Sequence, residues 1–120
     1  MFDGIDARRD GDAQAVDPAA MGVGAKPEVV RDAQAAVEAD KPQNRSNDGR
    51  ADPQGGFWIG TMGKKAEPGA GAIYRWYKGE LRRLFPGISI PNAICFPPGG
   101  KLAHFTDTPT GQVMRVALDA

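Results

Sequence analysis

A short polar stretch near the middle of the chain carries the side chains best suited to binding a small polar ligand. Arg45, Asn47 and Asp48 follow one another closely, ahead of a turn at Asp52-Pro-Gln-Gly55. Arginine presents a rigid fork of donors, and asparagine presents both a donor and an acceptor. Together they suit a ligand that carries hydroxyl groups and a ring oxygen. We expect them on a polar loop that leads into the first strand.

An alternative interpretation makes the same stretch a plain turn. Asn47 or Asp48 would then bond nearby backbone, and Gly49 would take a positive φ. We favour this structural role for Asp48.

Asn92, in the sequence Ser89-Ile-Pro-Asn-Ala93, is a candidate metal ligand. Its amide oxygen is a hard, neutral donor that suits calcium and is tolerable for zinc or magnesium. From this segment alone, an asparagine that caps a turn after Pro91 is the favoured alternative.

Three other residues with reactive or ionisable side chains are expected to be structural. Asp107 ends a predicted strand and should bond backbone at a corner of the sheet. His104, the only histidine, should fill a strand rather than catalyse. Cys95, the only cysteine, should be a buried and inert thiol. A single cysteine also excludes an internal disulfide and a cysteine-based zinc site.

The second half of the chain is predicted to be all-β. Short runs rich in aromatic and β-branched residues alternate with turns such as Lys78-Gly79, Pro86-Gly87 and Pro97-Pro-Gly-Gly100, and no helical period is present. The predicted strands cover residues 56–62, 72–77, 80–85, 94–96, 101–107 and 111–118.

The first third of the chain differs in composition. Residues 1–26 have no aromatic residue after Phe2 and no periodicity, so we predict that they are disordered. A short helix is predicted from Pro27, because proline fits a first helical turn and good helix formers follow it.

The overall charge excludes some classes of partner. The 15 basic and 15 acidic residues cancel, so no global field points to nucleic acid or to an acidic membrane surface. No apolar run approaches the length that a membrane span needs. The start of the chain has no pattern of a secretory signal, and we expect a cytoplasmic protein.

Three segments of the chain carry a common signature: residues 44–62, Ser89-Ile-Pro-Asn-Ala93 and Phe105-Thr-Asp-Thr108. Together they closely resemble the senescence marker protein/gluconolactonase family, which includes the regucalcins and the bacterial sugar lactonases. The resemblance covers about residues 37–120, and residues 1–36 lie outside it. It implies a six-bladed β-propeller, of which each blade takes about 40 to 50 residues. We therefore expect about two blades, as a fragment of the complete fold.

The resemblance also implies a function and roles for particular residues. Family members open a sugar lactone to the sugar acid with the help of a divalent metal, calcium or zinc, and a carboxylate base. Arg45 and Asn47 match the family's substrate-contacting residues, and Asn92 matches its metal-coordinating asparagine. Lys64-Lys65 stands where an acidic substrate contact is usual, and Ala93 stands where glycine is usual.

The expected activity of the chain by itself is low. The family's metal-binding glutamate and aspartate have no counterpart in the resemblance, and one neutral asparagine cannot hold a hard cation. Two alternatives therefore stay open: a non-catalytic module that pairs with another chain, or with itself, through open blade edges, and an inert fragment.

Overall fold

The computed structural model describes residues 26–118, and β-strands make up most of this part of the chain. They form two antiparallel sheets, one with the order β1-β2-β3-β4 and one with the order β5-β6-β7. A helix precedes both sheets. The elements are α1 (Pro27–Ala36), β1 (Asn44–Ala51), β2 (Phe57–Gly63), β3 (Gly71–Tyr77), β4 (Glu80–Ile88), β5 (Pro91–Cys95), β6 (Leu102–Asp107) and β7 (Gln112–Ala117).

The helix α1 begins at Pro27, as the sequence predicts, and packs against the four-stranded sheet. Its apolar stripe is narrow, yet Val30 and Ala33 are buried and lie with Phe57 and Ile59 in one cluster. A helix of this length is marginal in isolation, so this packing is what stabilises it. The disorder predicted for residues 1–26 falls, except for Lys26, outside the described residues. No helix within residues 26–118 is long and apolar enough to cross a membrane.

Alternation along β2 places the four-stranded sheet between two apolar layers. Phe57 and Ile59 point to the helix, whereas Trp58 points to the opposite face, because successive side chains of a strand alternate. There Trp58 packs with residues of the second sheet, among them Ile94 and Phe105. All seven residues of β2 are buried, in agreement with a central position.

Most of the predicted strands are present within two or three residues of the expected bounds. The Lys78-Gly79 turn has positive φ at both residues, as a tight two-residue hairpin turn requires. One predicted break and one predicted strand boundary are wrong. Strand β4 continues through Pro86 and Gly87 to Ile88, with irregular register against β3, and β5 begins already at Pro91.

The expected loop at Arg45, Asn47 and Asp48 is also wrong, because these residues lie on strand β1. The strand pairs with β2 along its length, from Asn44 opposite Gly63 to Ala51 opposite Phe57. Strand β1 was not predicted because its residues are polar, whereas the sequence signal for a strand is the alternation of apolar and polar residues. A shift in register between Ser46 and Gly49 interrupts the pairing at the polar residues themselves.

Asp52 holds the turn between β1 and β2. Its carboxylate accepts hydrogen bonds from the backbone of Gln54 and Gly56, from Nε1 of Trp58 at 3.1 Å and from Nε of Arg75 at 2.6 Å. Burial favours a raised pKa for Asp52, but the bonds from Arg75 and the two backbone amides outweigh it and lower the pKa below 3.8. The ionised carboxylate therefore connects the end of β1 with Trp58 on β2 and with Arg75 on β3.

We expect Asp52→Asn to lower the free energy of unfolding by about 2 kcal/mol at neutral pH, because an amide offers one acceptor where the carboxylate offers two. The pKa of Asp52 is lower in the folded chain than in the unfolded chain. The stability it contributes is therefore present above about pH 3.8 and is lost as the pH falls through the lowered value. Urea unfolding at several pH values should show a weaker acid dependence in the variant. Glu80→Gln removes an exposed carboxylate and serves as the control; an equal effect there would contradict the assignment.

Candidate functional site

Strands β1 and β5 bring two of the predicted site residues close together. Asn47 donates from Nδ2 to the carbonyl oxygen of Pro91 at 2.8 Å. The next residue, Asp48, accepts from the backbone N–H of Ile94 through Oδ2, also at 2.8 Å. Asn92 lies between these two bonds. Asn47 and Asn92 therefore stand on facing strands of different sheets, although they are far apart in sequence.

Asn92 is half-buried, and its own side chain shapes the backbone around it. Its Oδ1 accepts a hydrogen bond from the N–H of Ala93 at 2.8 Å, and its carbonyl accepts from Oγ1 of Thr106 at 3.3 Å. Ala93 has a φ of 56°, and the pairing with β6 shifts register between Asn92 and Cys95. Asn92 therefore sits in a bulged strand rather than capping a turn. An amide oxygen has a second lone pair, so the bond to Ala93 leaves it able to ligate a cation.

Asp107 has the structural role predicted for it. Its two carboxylate oxygens accept from the backbone N–H of Ser89 at 3.1 Å each, and Oδ1 also accepts from Ile90 at 2.8 Å. These bonds fix the connection that leads from β4 into β5. Asp107 therefore holds the segment just before Asn92 and is not itself placed as a metal ligand.

Arg45 is exposed near the start of β1, and its neighbour Asn44 is firmly anchored. The contact of Arg45 from Nη1 to Sδ of Met62 is long, at 3.7 Å, so its guanidinium remains accessible. Asn44 donates from Nδ2 both to Oε1 of Glu38 at 2.8 Å and to the carbonyl of Ala70 at 2.9 Å. The anchor fixes the start of the strand that carries Arg45.

Glu38 links this anchor to β3, and sequence reasoning did not find it. Its Oε2 accepts from the hydroxyl of Tyr74 at 2.7 Å. Burial raises the pKa of Tyr74, and the neighbouring Glu38 carboxylate raises it further, to about 12. The two residues are 36 positions apart, so no local pattern in the sequence could have indicated the pair.

Lys64 directly follows β2, opposite the beginning of β1 where Arg45 lies. Its N–H donates to the carbonyl of Gln43 at 2.9 Å, which places it opposite the residues that precede β1. Lys64 and Lys65 are both exposed. The basic pair predicted to replace an acidic contact therefore stands near Arg45.

The remaining candidates lie within the sheets. His104 is 1% exposed on β6, as expected for a residue that fills a strand. Cys95 is half-buried, so the prediction of a buried thiol is wrong; it lies at the end of β5, where the strand leaves the core. Across residues 26–118, no group of three or more His, Cys, Asp or Glu side chains could hold a metal ion. The described residues thus supply one candidate ligand, Asn92, and not a complete metal site.

Comparison with known proteins identifies the family to which the chain belongs. The family model for the SMP-30/Gluconolactonase/LRE-like region matches residues 20–120. The chain belongs to this family. A Rhizobium meliloti protein assigned as a sugar lactone lactonase is 56% identical over 80 residues, which are 67% of this chain and 27% of that relative. The 6-deoxy-6-sulfogluconolactonase of Pseudomonas putida is 32% identical over 77 residues, 63% of this chain and 26% of the relative.

Two solved structures share the fold of this chain over part of their length. Regucalcin from Agrobacterium tumefaciens, described as a calcium-binding protein, is 58% identical and superposes with a TM-score of 0.68 over 69% of this chain. A luciferin-regenerating enzyme is 30% identical and superposes with a TM-score of 0.66 over 70% of this chain. Both are β-propellers, which confirms the predicted fold: the two sheets are about two blades. The chain spans 28% and 29% of these two proteins.

We expect Ala93→Gly to stabilise the chain by about 1 kcal/mol, because glycine adopts the positive φ of this position without strain from a Cβ atom. Glycine is also the residue that the family resemblance implies at this position, and Ala93 has a φ of 56°. Urea unfolding would measure the change. Ala117→Gly, on the exposed face of β7 with an ordinary φ, is the matched control and should lose stability instead. A loss of stability in Ala93→Gly would contradict the strain at this residue.

Proposed function

We propose that this chain forms part of a sugar lactone hydrolase that depends on a divalent metal. Lactone opening adds water across the ester: the bond between the carbonyl carbon and the ring oxygen breaks, hydroxide joins the carbon, and the ring oxygen gains a proton. Support comes from membership of the SMP-30/gluconolactonase-like family and from relatives named as lactonases. The calcium-binding description of the Agrobacterium regucalcin supports calcium as the metal.

The contact between β1 and β5 is the observation that carries this proposal. The bond from Asn47 to Pro91 joins the strand of the proposed substrate contacts to the strand of the proposed metal ligand. A lactone held by Arg45 and Asn47 would then lie beside Asn92. Blade strands of a propeller converge on the central channel, where residues distant in sequence meet.

Each residue has a distinct part in the proposal. The Arg45 guanidinium donates two parallel hydrogen bonds to substrate oxygens, for which its exposed position leaves room. Asn47 uses one N–H for Pro91 and keeps its second N–H and its oxygen for the sugar. Asn92 contributes one oxygen ligand, and a bound cation would polarise the lactone carbonyl.

The proposal is tested in a complete propeller, made by placing residues 37–120 of this chain in the corresponding position of the Rhizobium meliloti relative. Asn92→Ala should lower calcium affinity by at least about 100-fold and abolish turnover of gluconolactone with it, because an inner-sphere oxygen is removed. Arg45→Ala should raise KM by about 10-fold or more while calcium affinity stays the same, because a cationic guanidinium cannot ligate a cation. Calorimetric titration with calcium and steady-state kinetics measure the two effects.

Gln112→Ala is the control for these variants, since its side chain is exposed on β7 and lies in the second sheet away from β1. It should change neither calcium affinity nor KM. Full calcium affinity in Asn92→Ala would overturn the metal role of Asn92. Loss of calcium in Arg45→Ala alone would reverse the two assignments.

We also propose self-association through the free edge of β7. This strand is last in the sheet order β5-β6-β7, so among the described strands its outer edge has no partner. Val113 and Met114 on it are 47% and 43% exposed, the large apolar side chains most accessible in the described part of the chain. An exposed apolar edge strand is a template for pairing with another chain, and a second copy presents the same edge.

Met114→Lys should shift the chain from dimer toward monomer, because a charge on an edge strand opposes pairing. Light scattering coupled to size-exclusion chromatography, over a range of concentrations, measures the mass. Gln43→Lys adds the same charge at an exposed position before β1 and should leave the mass unchanged. A mass equal to that of the monomer at every concentration of the wild-type chain would contradict the proposal.

A further inference from the structure

Two consecutive side chains of β1 form hydrogen bonds to the two ends of the short segment that contains Asn92. Asn47 binds the carbonyl of Pro91, and Asp48 binds the N–H of Ile94. The segment between these bonds contains only Asn92 and Ala93. It is also where β5 departs from regular pairing with β6.

The carboxylate of Asp48 is buried, so its charge must be stabilised by hydrogen-bond donors of the protein. The residue is 3% exposed, and a buried carboxylate is unfavourable unless hydrogen bonds replace its water. Both oxygens are used: Oδ1 accepts from Gly49 at 2.9 Å, and Oδ2 accepts from Ile94 at 2.8 Å. A neutral asparagine would turn a donor group toward one of these N–H groups, so the site requires an acid.

The bond to Ile94 has a specific geometric effect. Ala93, the preceding residue, has a φ of 56°, in a region that alanine avoids. The backbone stays there only if its surroundings hold it. Asp48 fixes the amide directly after Ala93, and Oδ1 of Asn92 fixes the amide of Ala93 itself. The bulge therefore depends on a side chain from the other sheet.

We infer that Asp48 is a positioning residue, which sets the bulge of β5 and thereby the direction of the Asn92 amide oxygen. The metal part of this inference rests on the proposed function, whereas the control of the bulge does not. Groups that orient a metal ligand commonly change metal affinity by about 10-fold to 100-fold when they are removed. Asp48 acts here through the backbone rather than through contact with the cation.

The first test uses the 120-residue chain and reports on the bulge alone. Asp48→Asn keeps the volume of the side chain and removes one acceptor, and Asp48→Ala removes both. In each variant the amide of Ile94 should exchange with solvent at least about 10-fold faster relative to the amides of β2. The coupling between the amide and α protons of Ala93, which reports φ, should move away from its wild-type value.

Asp52→Asn is the matched control. It also removes a charge from a buried carboxylate that accepts backbone amides, but its partners lie in the β1–β2 turn and on Trp58 and Arg75. It should lower global stability without a selective change at Ile94. Unchanged exchange at Ile94 in both Asp48 variants would overturn the inference, whatever the function of the chain.

The second test measures calcium affinity in the complete propeller that carries residues 37–120. Asp48→Asn should weaken calcium binding by about 10-fold or more, and KM at saturating calcium should change far less. Asp52→Asn should leave calcium affinity within about twofold. Unchanged calcium affinity in Asp48→Asn, with altered exchange at Ile94, would refute the positioning of a metal ligand. If Asn92→Ala also kept full affinity, the proposed function would fail while the control of the bulge would stand.

Discussion

The architecture depends on hydrogen bonds that cross between the two sheets where β1 meets β5. Sheets that pack face to face are held mainly by apolar burial, which has no direction and tolerates sliding. The bonds from Asn47 and Asp48 to the backbone of β5 remove that freedom, because each has one donor and one acceptor at a fixed length. The apolar cluster of Trp58, Ile94 and Phe105 thus forms in one register.

Two other carboxylates, the buried Asp52 and the half-buried Asp107, fix backbone at the ends of strands. Asp52 closes the β1–β2 turn, and Asp107 holds the connection into β5. Each accepts several backbone N–H groups that have no strand partner, and so satisfies donors that would otherwise be buried without one. Of the two, Asp107 is the one next to the candidate site, because the segment it holds leads directly to Asn92.

The sequence indicated strands best where local chemistry dominates. The hairpin at Lys78-Gly79 and the aromatic strand β2 follow from residue type and alternation alone. Strand β1 could not be predicted in this way, because its residues are polar and two of them are ordered by partners in β5, which lies far along the chain.

The residues of the candidate site were likewise predicted only in part from the sequence. Arg45, Asn47 and Asn92 were found through motifs of the SMP-30/gluconolactonase-like family, and their roles stay predictions. Glu38 and Tyr74 were missed, since a contact across 36 positions leaves no trace in spacing. The left-handed backbone of Ala93 was visible only as a departure from glycine, and the structure supplies its physical meaning.

The position of α1 shows that an apolar face of the four-stranded sheet can pack against a helix as well as against strands. Phe57 and Ile59 meet the small aliphatic side chains Val30 and Ala33 of a helix, although the opposite face packs on β-strands. An apolar surface of this kind selects for area and shape and is indifferent to secondary structure. The two faces of one blade can therefore be covered by a helix on one side and by strands on the other, with no change in the pairing of its own strands.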